Sequence, residues 1–198
     1  MSNFTGVNQL QLEGQVACAP VFSHQNHQTN FHRLLLEVPR LSGYGDVLPV
    51  LLPSSLAEGV AEGDRLRLHG QLRSFNNKSG EGNRLVLSLY TQTLLPVTGS
   101  PSNHIALCGA LCKPPILRRT PLGRSICDLM LAVPRLYGRA DYIPAIAWGE
   151  LALRTGALDV GAVVSLEGRM QSRDYQKQEG ALMVKHIAYE VSVMKMIR

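Results

Sequence analysis

Flat rings are scarce in this chain. Aromatic residues make up 6% of its 198 positions, with a single tryptophan, so the place of each ring matters to any reading of a site. Cysteine is also sparse: Cys18, Cys108, Cys112 and Cys127 give no framework of pairs, and no second Cys or His pair follows Cys108 and Cys112 at the spacing a tetrahedral zinc requires. Reduced, partly buried thiols are expected. No apolar run approaches the roughly 18 residues of a membrane span. Residues 1–7 lack the basic-then-apolar order of a secretory leader, so a cytoplasmic protein without membrane contact is expected.

Catalytic constellations are missing too. His24 and His27 lie in a polar loop with His32 shortly after, but no carboxylate or cysteine stands at a fitting distance to complete a metal site; the other histidines are scattered. Glycines stand singly at turns rather than in a phosphate-cradling loop. Serine and cysteine have no evident base partner. The sequence therefore predicts a binding protein, not an enzyme, with no metal or other cofactor.

What the chain does have is an internal repeat. At an offset of 95 residues, Gly14 meets Gly109, Pro20 meets Pro115 and Asp46 meets Asp141; Leu36, Val38, Pro39, Arg40 and Leu41 fall on Leu131, Val133, Pro134, Arg135 and Leu136. After a three-residue insertion, Gly63, Leu68, Gly70, Ser74, Glu81 and Gly82 meet Gly161, Leu166, Gly168, Ser172, Glu179 and Gly180. Each copy is long enough to bury its own core, which predicts duplicated domains at 1–98 and 103–198 with a short linker at 99–102. Charge divides unevenly between them. Residues 1–100 hold seven Lys or Arg against seven Asp or Glu, and residues 101–198 hold thirteen against eight, so the net +5 belongs to the second copy and favours a polyanionic partner.

Both copies alternate apolar and polar residues with period two, as at Leu10, Leu12, Gly14 and Val16 and again at Ile105, Leu107, Gly109 and Leu111. Further strands are expected at 33–38, 47–52, 65–73 and 84–94, with counterparts at 128–133, 142–148, 162–173 and 181–194. One helix per copy is expected between the third and fourth strands, at 54–62 behind a serine cap and at 149–155. Hairpin tips are expected at 76–82 and 176–180. Five strands with a helix in that place is the order of an OB fold, so the predicted class is all-β: two tandem five-stranded Greek-key barrels.

The second copy resembles the bacterial single-stranded-DNA-binding protein family. The resemblance rests on Asn103-His-Ile-Ala-Leu-Cys-Gly109, on DLMLAVPR from Asp128 to Arg135, on the run from Asp141 through Trp148 to Ala152, and on GAVVSLEGRMQSRDY from Gly161 to Tyr175. It implies that single-stranded DNA lies across the barrel on Trp148, Tyr142 and Tyr175, with Tyr137 near a further aromatic position. Arg118, Arg119, Arg124, Arg135, Arg139, Arg173 and Lys177 surround these rings, and guanidiniums suit both phosphate and base faces. The first copy departs from the pattern: Pro53, Val47 and Asn77 replace Trp148, Tyr142 and Tyr175, leaving Phe75, Tyr44, Phe31 and Phe22 off the matched positions. Arg40, Arg73, Lys78 and Arg84 remain to steer a backbone, so the first copy is expected to be the weaker half, with Phe31 in the core. The resemblance further implies four OB folds per assembly, reached here by a homodimer. The chain stops at Arg198 without the family's long acidic-tipped tail, so recruitment of partners through such a tail is not expected. Two other functions fit the same residues: an adaptor similar to primosomal replication protein N, and an OB-fold interaction module without nucleic-acid binding.

Overall fold

Alternation of leucine, isoleucine and valine with polar residues sets the architecture of this chain, seen in a computed structural model that describes residues 6–40, 43–78, 84–179 and 182–197. The side chains of Lys177, Glu179 and Leu182 lie outside the described set, as do tip residues 79–82 and 180 and the repeat's Leu41. Strands β1 (Asn8–Asn26), β2 (Thr29–Pro39), β3 (Gly45–Pro53), β4 (Arg65–Asn76) and β5 (Leu85–Leu95) form the first barrel. The second is built from β6 (Ser102–Leu111), β8 (Ser125–Pro134), β9 (Ala140–Trp148), β10 (Val163–Glu179) and β11 (Leu182–Met196), with the short β7 (Ile116–Arg119) added to β8.

Each barrel closes in the same way. In the first barrel β1 pairs antiparallel with β2 and β4, β2 with β3, and β4 with β5; in the second β6 pairs antiparallel with β8 and β10, β8 with β9, and β10 with β11. Two-residue parallel contacts, Val50↔Leu89 with Leu51↔Tyr90 and Val191↔Ala145 with Ser192↔Ile146, complete the circuits. Inward residues such as Leu12, Leu36, Leu48, Leu68 and Leu89 are fully buried in the first barrel, as are Leu131, Ile143, Met170 and Val191 in the second. Each such side chain contributes roughly 1.5–3 kcal/mol by leaving water.

The barrels are fused edge to edge. β1 pairs antiparallel with β6 from Asn8↔Leu107 to Glu13↔Ser102, giving one 11-stranded sheet. Asn8 and Asn103, Leu12 and Leu107 are repeat equivalents, so this register is symmetric about the Leu10↔Ile105 pair and makes a pseudo-twofold within one chain.

The helices differ from expectation. Only Ser54–Ala57 is helical in the first barrel, and Ser54 does not cap it: its hydroxyl donates to the Asn30 carbonyl at 3.1 Å, while Gly59 and Gly63 adopt positive φ and turn the chain out of the helix. The second helix, α2 (Glu150–Gly156), begins after Gly149, which stands at φ 59°, and takes in Gly156. β7 was not expected, because Pro114 and Pro115 precede it and break the alternation. A 3₁₀ turn, Leu136–Gly138, was missed as well, and holds Tyr137 at φ 62°.

Candidate nucleic-acid interface

The outward positions of β9 are Tyr142, Pro144, Ile146 and Trp148, alternating with the core residues Ile143, Ala145 and Ala147; of the outward four, Ile146 is itself buried. Tyr142 is 48% exposed and Trp148 40%, so both rings lie outside the core. They stand six positions apart, about 20 Å along a strand. Ile146 is level with Ser192 of β11, and Ser192 with Arg169 of β10, which brings Arg169, Gln171, Arg173 and Tyr175 onto this same surface by period two. Tyr175 stacks on His186 with ring centroids 5.5 Å apart, and the Arg173 guanidinium lies 5.9 Å from the Tyr175 ring centre. Tyr142 is held from the other barrel, its amide donating to Ser74 Oγ at 2.7 Å.

Cations surround the face in two different states. Arg119, Arg124 and Arg139 are exposed and form no ion pair among the described residues; the turn carrying Arg124 is closed by the Thr120 amide on the Arg124 carbonyl at 2.9 Å. Lys78 and Arg84 are exposed on the first barrel. Arg118, in the row Arg118, Ile126, Trp148, forks onto Asp128 at 2.7 and 3.0 Å, and Arg173 stands 3.6 Å from Glu190. The side chain of Lys177 is outside the described residues.

Arg135, Arg73 and Arg40 have partners other than phosphate. Arg135 donates through Nε to Asp141 at 2.5 Å, Arg73 reaches the same carboxylate from the first barrel at 3.1 Å, and the Ser74 amide adds a bond at 2.6 Å. The repeat produces the mirror image. Arg40 donates through Nε to Asp46 at 2.6 Å, Arg169 reaches across at 3.2 Å, and the Ser172 amide at 2.7 Å. Both aspartate side chains are fully buried. Burial would raise the Asp46 pKa, but the Arg40 hydrogen bond, the Ser172 amide and the Arg40 and Arg169 charges outweigh it and hold the carboxyl below its usual range. Arginine six residues before aspartate in both copies was the visible signal, yet only pairing of the barrels reveals the third partner.

The linker is gripped similarly. Glu13, buried in β1, accepts from the Thr98 hydroxyl at 2.6 Å, the Thr98 amide at 3.0 Å, the Gly99 amide at 2.8 Å and Arg65 at 3.1 Å. Against the opposing effect of burial, the bonds from Thr98, Gly99 and Arg65 bring its pKa from the ordinary 4.5 to about 2.

A protein-family model described as the single-strand binding protein family matches residues 102–198, the whole of the second barrel. Single-stranded DNA-binding protein B of Bacillus subtilis is 34% identical over 85 residues, covering 39% of this chain and 75% of that protein. The chain belongs to the single-strand binding protein family. Single-stranded DNA-binding protein A of the same organism is 34% identical over 85 residues, covering 39% of this chain and 49% of that one; the chain spans about half the length of most of the curated relatives it matches. The wild-type single-stranded DNA binding protein from Thermus aquaticus superposes with a TM-score of 0.79 over 98% of this chain and 94% of that one, at 22% identity, and so shares the two-barrel fold.

Within this family member, the first barrel gathers Phe31, buried as expected, with rings that the sequence did not bring together. Phe31, only 7% exposed, lies against Pro53 of β3 on the outer side, with His24 stacked on it at 5.2 Å and Tyr90 at 5.9 Å. Tyr90 was missed altogether; its alternation with inward Leu87 and Leu89 on β5 was the available signal. Phe75 is 55% exposed, and Tyr44 and Phe22 are exposed too.

Proposed function

We propose that this chain binds single-stranded DNA with little sequence preference, as in replication, recombination or repair. Trp148 and Tyr142 on β9 and Tyr175 on β10 offer stacking surfaces, Tyr137 adds a further exposed ring, and Arg118, Arg119, Arg124, Arg139 and Arg173 face the sugar-phosphate chain. The observation that carries this reading is the exposure of the sole tryptophan on the same outward strand face as Tyr142. Stacking on such rings tolerates any base, because every base has a π-face. The first barrel adds Phe75, Lys78 and Arg84 directly, while Arg40 and Arg73 act chiefly by joining the barrels.

The units are residues 1–98 and 103–198, held together by the clamped linker at 99–102. Two chains associate so that four barrels are presented, which sedimentation equilibrium would report as twice the 21.7 kDa chain mass. The cytoplasm is the compartment this reading carries. Titration with oligo-dT tests the function: quenching of Trp148 fluorescence is expected, with an affinity that falls steeply as salt rises, since counterion release drives phosphate contact. An unquenched indole and no change in the anisotropy of a labelled oligomer would end it.

A further inference from the structure

One cleft, about 760 Å³ in volume, belongs to neither barrel alone. The first barrel supplies His24, His27, Phe31, Phe75 and Tyr90, and the 3₁₀ turn of the second supplies Tyr137. Three of these rings and a further lining residue, Arg73, make a ladder: His24 stacks on Phe31 with planes 17° apart, Phe31 meets Tyr90 at a tilt, and the Arg73 guanidinium lies 6.0 Å from the Tyr90 ring centre. Tyr137 is 96% exposed and Arg139 stands beside it at the rim. The backbone is unusual at the same place. Among the described residues, three that are not glycine have positive φ, His27, Gln28 and Tyr137, and two of them line this cleft. His27 and Gln28 are the central pair of the two-residue β1–β2 hairpin, whose turn requires positive φ at both. Only at Tyr137 is a bulky ring held in the left-handed region outside such a hairpin pair.

The repeat explains how rings came to be here. In the second barrel the outward pair is Ile126↔Trp148; the equivalent pair in the first is Phe31↔Pro53, so the aromatic has moved one strand over. Matching by position therefore misses it.

We propose that this cleft is a second base-binding site, not equivalent to the Trp148 face, in which unpaired nucleobases stack on His24 and Tyr90, both backed by the buried Phe31, beneath Tyr137 while Arg139 meets a phosphate. The site rests on the single-stranded-DNA reading and extends it: one strand runs from the second barrel onto the first through a cleft both barrels build. Flat rings with a basic rim suit stacked bases of any sequence.

The test uses the intact chain and dT oligomers of rising length. Trp148 fluorescence reads the second barrel, and the anisotropy of an end-labelled oligomer reads all binding. Tyr90→Leu and, separately, His24→Ala are expected to weaken binding of long oligomers about fivefold or more, the equivalent of losing one stacked base, and to shorten the length at which affinity stops rising. Ultraviolet crosslinking of an iodouracil-substituted oligomer to the unaltered chain should place adducts on His24, Phe31 or Tyr90 as well as on Trp148, whatever the variants do to folding. Adducts confined to the second barrel, with the length dependence unchanged in both variants, would overturn this site and leave the function proposed above standing. An unaltered chain that neither quenches nor changes anisotropy would overturn both.

Discussion

Trp148 and Pro53 occupy equivalent places in the two barrels, and the exchange between them divides the labour of the faces. An indole on an outward strand position, 40% exposed, offers one wide stacking surface and little core. Trp148→Ala is therefore expected to weaken oligo-dT binding by roughly 1–3 kcal/mol with little change in unfolding midpoint, as read by anisotropy and by denaturant titration. Wild-type affinity with a large loss of stability would mean the ring serves the interior instead. Arginine needs the same distinction residue by residue: Arg119, Arg124 and Arg139 stand open to an anion, whereas Arg40, Arg73 and Arg135 already meet buried carboxylates. Charge reversal at Arg124 should reduce affinity and the steepness of its salt dependence; the same change at Arg135 should first reduce stability.

At the level of elements, the hairpins depend on close approach. The bulges at His69/Gly70 and Glu167/Gly168 fall on repeat-equivalent glycines, where an added Cβ would collide with the carbonyl oxygens of Tyr90 and Ser192. Gly168→Ala should cost on the order of 1–3 kcal/mol, visible as a lower denaturation midpoint, because backbone rather than a flexible side chain must give way. The linker has its own pH signature. Glu13 is ionised down to about pH 2 when folded but titrates near its ordinary 4.5 when unfolded. Its stabilising contribution is complete above about pH 4.5 and disappears as the pH falls toward 2. The stability difference between the parent chain and Glu13→Gln should therefore be constant near neutrality and shrink across that window; a difference that persisted at pH 2 would contradict the clamp.

For the whole molecule, the two barrels are joined by the β1–β6 ladder and by two mirrored carboxylate clusters. In each cluster the same-barrel arginine precedes the aspartate by six residues, and the partner barrel supplies the other: Arg73 beside Gln71 in one case, Arg169 beside Gln171 in the other. Arginine and glutamine have exchanged places between the copies, yet each arginine reaches the opposite aspartate. Asp141→Ala leaves Arg135 and Arg73 facing each other without their anion. The loss should approach the roughly 3–5 kcal/mol of a broken buried pair, reduced because both guanidiniums are partly exposed. Calorimetry should then show the barrels unfolding in separate steps.

Alternation in β1 and β6, the repeat offset and the turn residues made the strand order legible from the chain alone, since period two records which side of each strand avoids water. The short first helix was not legible, because Gly59 and Gly63 ended it before its propensity could extend it. Local sequence thus determined two barrels, while the outward placement of Tyr142 and Trp148 came from the resemblance of the second copy to its family. Tertiary structure alone decided that Arg135 faces Asp141 together with Arg73, that Glu13 holds the linker, and that His24, Phe31 and Tyr90 gather in one cleft with Tyr137. Arg73 and Asp141 are 68 positions apart and Glu13 and Thr98 85, so the energy of such contacts depends on the docking of the barrels and leaves no mark on neighbouring residues.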